Sequence, residues 1–180
     1  MTNQPQIIEL GNPILRKTAE PIKNLAEPQL QTLIDYLLAA AETHNGVGIA
    51  APQVGVSKRL LLVASRPTLR YPNAPYMPPT PMLNPRIIAH SNETAKDWEG
   101  CLSVPGIRGL VSRHREVEVE YITRNGKTKR QIFTDFVARI FQHEYDHLEG
   151  KVFLDRVESS LDLMTENEYQ KQVISSLPTR

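Results

Sequence analysis

The residues best placed to do chemistry are His143, Glu144 and His147, in the run His143-Glu144-Tyr145-Asp146-His147. Positions i and i+4 of a helix lie about one turn apart, so two imidazoles at that spacing can reach one divalent ion while the glutamate between them approaches a water on it. The pattern fits metal-assisted hydrolysis, and taken alone it fits equally a pair of helix histidines bonded to neighbours. A catalytic site of this kind normally uses three protein ligands, so a third donor must come from elsewhere. No histidine follows His147, which excludes the longer pattern with a third histidine shortly downstream. Glu149 stands two positions from His147, where a helix turns it away. The single cysteine, Cys101, is the best remaining candidate: a thiolate is a strong ligand, and Cys101 sits in Glu99-Gly100-Cys101-Leu102-Ser103-Val104-Pro105-Gly106 among glycine and turn residues. Taken alone, an isolated cysteine is more often an inert buried thiol. A third segment, Gly46-Val47-Gly48-Ile49-Ala50-Ala51-Pro52-Gln53, carries two glycines that allow close backbone approach to a ligand. It lacks the Gly-Lys-Ser/Thr of a P-loop and the spacing of a dinucleotide fingerprint. The Gln53 amide can donate to an oxygen on which negative charge develops.

These residues need elements to hold them. Phe136, Ile140, His143 and His147 fall three or four apart, which predicts a helix from about 134 to 148 with all four on one face. The histidines continue an apolar stripe, so both imidazoles should be buried and in need of partners, which a metal would satisfy. Leu30, Leu33, Ile34, Leu37 and Leu38 predict a second amphipathic helix over 28–43, and residues 59–64 read as a buried strand. Pro67, Pro72, Pro75, Pro78, Pro79 and Pro81 predict a surface loop returning to a strand near Met82-Leu83. Val117, Val119 and Tyr121 alternate with glutamates, Asn125-Gly126 signals a hairpin turn, and Gln131-Ile132-Phe133 is the returning strand. Val152-Phe153-Leu154 reads as a further short strand, and the tail from Ser159 as weakly helical. Residues 7–16 read as a short tether, and no repeat or linker divides the chain.

At 180 residues the chain fits one core, and 40% hydrophobic with 23% charged residues excludes disordered and fibrous classes. With 21 Lys+Arg against 20 Asp+Glu, the charge balance asks for neither nucleic acid nor an anionic membrane as main partner. One cysteine cannot form an intrachain disulfide, no apolar run is long enough to span a bilayer, and the first residues lack a signal-peptide pattern, so a soluble cytoplasmic protein is expected.

Together, Gly46 to Gln53, Glu99 to Ser103 and Gln142 to His147 resemble the three motifs of the peptide deformylases, in that family's order. The resemblance extends from about Ile7 to about Arg156. It implies an α+β fold, with antiparallel or mixed sheets around a central metal-binding helix, in a single domain over 1–180 whose segment 159–180 is a tail. It implies a metal held by Cys101, His143 and His147, iron(II) with nickel, cobalt or zinc as substitutes. Glu144 would be the general acid/base, with Gln53 and the Leu102 N–H as oxyanion donors. The implied reaction is removal of the N-formyl group from formyl-methionyl nascent peptides, near the ribosome. The peptide backbone would pair with Val47, Gly48 and Gly100, and the methionine would enter a pocket near Phe136 and Ile140. Asn12-Pro13, the proline-dense stretch and Asp135, where many members have glycine, depart from the family's pattern without touching these residues. Two other classes compete. A structural metal or peptide-binding module would need a fourth protein ligand and has no use for Glu144 and Gln53 together, and a zincin-type endopeptidase is disfavoured by a cysteine ligand.

Overall fold

A computed structural model of the chain describes residues 6–68 and 71–176. The apolar run near residue 60 is strand β2, Leu60–Ser65, and all of it is buried. Strand residues point alternately to opposite faces, so Leu60, Leu62 and Ala64 pack with one cluster and Leu61 and Val63 with another. The first cluster takes the stripe of α1, Pro28–Thr43, through Leu30, Ile34 and Leu37. The second takes Ala138, Ile140 and Phe141 of α2, Asp135–Leu148. A strand covered on both faces has no polar side to show, which is why its sequence is continuous rather than alternating.

The five-stranded sheet around β2 runs β1-β2-β3-β6-β7, all antiparallel, with β1 at Gly48–Ala50, β3 at Met77–His90, β6 at Glu116–Ile122 and β7 at Thr128–Thr134. The β6–β7 hairpin turns at Asn125-Gly126 as expected, with Gly126 in the left-handed region at φ 79°. A second sheet, β4-β5-β8, consists of β4 at Thr94–Cys101, β5 at Val104–His114 and β8 at Leu163–Thr165, again antiparallel. Helix α2 touches both sheets, so the metal-motif helix is central to an α+β fold, as the sequence resemblance implied.

Three expectations are corrected. The proline-dense stretch is a loop only in part: Pro78, Pro79 and Pro81 lie inside β3. They fall where β3 pairs with β2 alone, because pairing with β6 begins at Leu83. A strand with one open side can lack ladder donors there. Val152-Phe153-Leu154 is not a strand; Phe153–Arg156 is a turn of 3-10 helix, with the Val152 N–H donating to Asp155 Oδ2 at 2.8 Å. The tail beyond Ser159 is more than a weak helix: β8 pairs with β5, and Tyr169 at the end of α3, Glu166–Tyr169, is 1% exposed. Residues 177–180 of that tail lie outside the described residues.

Helix α2 ends at Leu148, and Gly150 follows at φ 70°. A Cβ there would also stand 2.7 Å from the Arg16 carbonyl oxygen. Left-handed backbone costs a non-glycine residue roughly 1–2 kcal/mol before any collision. Gly150→Ala should therefore lower the thermal midpoint by at least about 2–4 °C in a calorimetric scan. An unchanged midpoint would show that the chain reverses after the helix without needing glycine.

Candidate active site

The metal-motif helix begins under strain and ends buried. Thr134 caps it in extended conformation, while Asp135 adopts φ 45° and accepts two hydrogen bonds from Arg115, at 2.9 and 2.7 Å. From there α2 carries Phe136, Ile140, His143, Glu144 and His147 to one cavity or its floor. Cys101 arrives from the other sheet: it ends β4, and Leu102-Ser103 form a tight turn into β5, with Cys101 paired to Val104. The Cys101 Sγ lies 3.3 Å from His147 Nε2. The donor atoms of Cys101, His143 and His147 all lie within 4.8 Å of one another. Two ligands of one tetrahedral ion, at bond lengths typical of sulfur and nitrogen, stand roughly 3.3–3.6 Å apart, so the set fits a divalent metal.

The ring orientations are set by neighbours that spacing alone did not reveal. His143 Nδ1 lies 2.8 Å from Glu99 Oε2. A carboxylate only accepts, so Nδ1 carries the proton and Nε2 keeps a free lone pair that could bind a metal. Glu99 is 5% exposed and accepts from Arg113 Nε and Nη2 at 2.9 and 3.0 Å and from Arg139 Nη1 at 2.8 Å. Arg113 donates onward to Asp146 at 2.6 Å, and Asp146 also takes two bonds from Arg156. Burial opposes ionisation of Glu99, but His143 and Arg113 outweigh it and hold its carboxyl well below the usual range. The Cys101 thiol is likewise desolvated, yet the two imidazoles beside it, His147 foremost, hold it well below its ordinary value, which favours the thiolate.

Glu144 is different. It is 4% exposed, and burial pushes its carboxyl up to about 7 against the lowering effect of the two imidazoles. Among the described residues nothing bonds its Oε2. Its carboxylate fits only because Gly48 lies beside it: a Cβ on Gly48 would stand 2.7 Å from Glu144 Cγ and 2.8 Å from Cδ. Gln53 accepts from the Ala50 N–H at 2.8 Å through Oε1, which turns Nε2 toward Cys101 Sγ at 3.4 Å and Ser103 Oγ at 3.3 Å. The segment expected to be a mere tether holds this corner from behind, since the Ile8 and Leu10 N–H groups donate to the Gln53 and Ser103 carbonyls.

The cavity measures about 450 Å³ and is lined by every proposed catalytic, ligand and substrate-binding residue except His147, which is 1% exposed. Strands β1 and β4 are both sheet edges, and Gly48 and Gly100 from them line it. Antiparallel neighbours alternate between bonding and non-bonding pairs. The Val47 carbonyl is taken by the Ala64 N–H at 2.7 Å, so Gly48 turns its own N–H and carbonyl the other way, toward the open edge. Val47 also lines the cavity, and its carbonyl is already bonded within the sheet. Phe136 and Ile140 line the cavity as expected, together with Tyr71 and Trp98, which sequence reasoning missed. Tyr71 comes from the proline-dense loop and packs on Phe136 with ring centroids 4.0 Å apart.

A thiolate, two imidazoles and a buried carboxylate around one cleft define a metal-dependent hydrolase. The chain matches the polypeptide deformylase family model over residues 5–162, and it belongs to that family. It is 59% identical over 167 residues to peptide deformylase 2 of Nostoc sp., with 93% of each chain covered. Against peptide deformylase 1 of Prochlorococcus marinus the identity is 38% over 156 residues, covering 86% of this chain and 81% of that one. A class I type b peptide deformylase from Acinetobacter baumannii, crystallised with Met-Ala-Ser, superposes with a TM-score of 0.84 at 45% identity, over 87% of this chain and 100% of that one. A peptide deformylase from Synechococcus elongatus in complex with actinonin gives a TM-score of 0.79 at 33% identity, over 99% and 93%. The enzyme therefore removes the N-formyl group from the N-terminal formyl-methionine of nascent polypeptides.

Gly48→Ala should force the Glu144 carboxylate aside while leaving the three donors in place. Displacing Glu144 from general acid/base work would cost about 100-fold or more. We expect kcat for formate release to fall by about that factor with the metal-to-protein ratio unchanged. A kcat within threefold of the parent would mean that Glu144 does not need this space.

Proposed function

We propose that deformylation here runs on an iron(II) ion held by Cys101 Sγ, His143 Nε2 and His147 Nε2, with nickel, cobalt or zinc as substitutes. The observation that carries this reading is the convergence of one sulfur and two ring nitrogens from separate elements within 4.8 Å. A thiolate and two imidazoles suit iron(II), zinc and their neighbours alike; the resemblance to the deformylases is what favours iron. Such an ion, when bound, supplies a Lewis acid and lowers the pKa of water at its open position.

The chain's own residues do the rest. Glu144, unbonded at Oε2, accepts the proton of the attacking water and returns it to the departing amine, so that formate and a free N-terminus are the products. Gln53 Nε2 and the Leu102 N–H at the β4–β5 turn donate to the formyl oxygen as charge grows on it. Contributions of this kind reach roughly 3–4 kcal/mol per donor. The free edges of β1 and β4 support binding of the peptide as an added strand against Gly48 and Gly100, with lesser help from Val47. The methionine side chain then enters the apolar end among Tyr71, Phe136 and Ile140.

The substrates are formylated nascent chains, met near the ribosome in the cytoplasm. No helix of the described residues is long and apolar enough to cross a membrane. Glu144→Gln, prepared without oxygen and loaded with iron, should keep its metal and lose about 10²–10⁴-fold in formate release from formyl-Met-Ala-Ser. Full activity in that variant would remove Glu144 from the mechanism. Loss of metal with activity would make Glu144 a ligand instead.

A further inference from the structure

One wall of the cleft is built by a segment that the chemistry above does not use. Arg108, in β5, lies opposite Met164 of β8, and Glu166 follows at the start of α3. Both Arg108 and Glu166 line the same cavity as Gly48, Gly100 and Glu144. Arg108 Nε donates to Glu166 Oε2, and the Arg108 Cζ lies 5.3 Å from the centre of the Tyr169 ring. Gln170 Nε2 holds the other Glu166 oxygen at 2.7 Å. Tyr169 is 1% exposed and packs edge-on to Trp98, another lining residue, at 5.6 Å between centroids. Gly100 completes the seat, since any Cβ there would fall on the Arg108 guanidinium.

The guanidinium is thus fixed from three sides, by a carboxylate, an aromatic face and the bare backbone of the strand that borders the cleft. The side chains of Arg108 and Glu166 are 25% and 33% exposed, so both charges are felt by whatever occupies the cavity. In the deformylase reading, Phe136, Ile140 and Tyr71 receive the methionine side chain and Cys101, His143 and Glu144 face the scissile bond; all six line the cavity. The ion pair stands beside Gly100, against which the proposed peptide strand runs, and it lines the cavity together with Pro105, Gly106 and Ile107. An unpaired arginine there would select acidic peptides, and an unpaired glutamate basic ones. Paired, the two charges offset each other along the cavity lining.

We propose that Glu166 is a positioning residue for specificity: it neutralises and seats Arg108 so that the cleft accepts acidic and basic residues after the methionine alike. This rests on the deformylase reading of the cleft. Atoms of the reaction itself are untouched, so the effect belongs to binding and appears in KM rather than kcat.

The test uses the full-length, metal-loaded enzyme and C-terminally amidated peptides, formyl-Met-X-Ser and formyl-Met-Ala-X, with X as Glu, Ser or Lys. Formate release by the parent enzyme from the serine peptides reports the reaction independently of the inference; its absence would overturn the deformylase reading itself. Exposed ion pairs are worth up to about 1 kcal/mol, or about fivefold. The parent should show kcat/KM for Glu and Lys peptides within about threefold of each other. Glu166→Gln should raise the Glu-to-Lys ratio by about fivefold at one of the two positions, through KM, and 1 M NaCl should abolish the shift. Arg108→Gln should move the ratio the opposite way. Thermal midpoints and metal content confirm that each variant is folded, and if one fails to fold the other decides. A ratio unmoved at both positions in a folded variant, a shift in the same direction in both variants, or a shift carried by kcat would each overturn the proposal.

Discussion

The site depends on one buried carboxylate. Glu99 lies between two arginines and an imidazole, all nearly excluded from water, and each of its oxygens accepts from more than one of them. Breaking a buried charge pair strands the partner and typically costs about 3–5 kcal/mol, so the members of this network hold one another in place. The network also spans the molecule. Glu99 comes from β4, Arg113 from β5, Arg139, His143 and Asp146 from α2, and Arg156 from the turn after it. It therefore locks the second sheet to the helix at the point where Cys101 must meet His143 and His147. The same bonds choose the His143 tautomer, so that scaffold and ligand orientation have one cause.

The cleft follows from the way two sheets end. Among the described residues no other strand covers the outer edges of β1 and β4, and in most proteins such edges are hazards that need blunting. Here they border the cavity, and the glycines on them allow a carboxylate on one side and a guanidinium on the other to press against bare backbone. Glycine at 48 and at 100 is needed for space, not for an unusual φ, since neither position is left-handed. The chemistry-bearing residues and the strand edges are thus parts of one arrangement, in which side-chain volume removed from the backbone is filled by the groups that act.

What could be read from the sequence was what repeats locally. The spacing of Phe136, Ile140, His143 and His147 is a helix period, and the structure buries that face. Helix α1 and strand β2 were legible for the same reason, through Leu30 to Leu38 and Leu60 to Val63. The partners of the metal-motif helix were not, because Glu99 bonds to Arg113, Arg139 and His143 at separations of 14, 40 and 44 residues, with no period to mark them. The hairpin holding Cys101 escaped notice because its turn is Leu102-Ser103 rather than Asn-Gly, and β4 begins with the polar run Thr94-Ala95-Lys96-Asp97. Prolines disguised β3, whose one-sided pairing tolerates them. Strand β8 was hidden in a polar tail, because three residues are too few to show alternation.

All of this turns on Cys101, His143 and His147 binding one ion together. X-ray absorption at the metal edge of the enzyme loaded with a single equivalent of zinc or iron reads the ligand set directly. One sulfur with two imidazole nitrogens is the set expected, and the sulfur should vanish in Cys101→Ala. A parent spectrum with nitrogen and oxygen scatterers alone would place the thiol outside the metal centre and contradict the account.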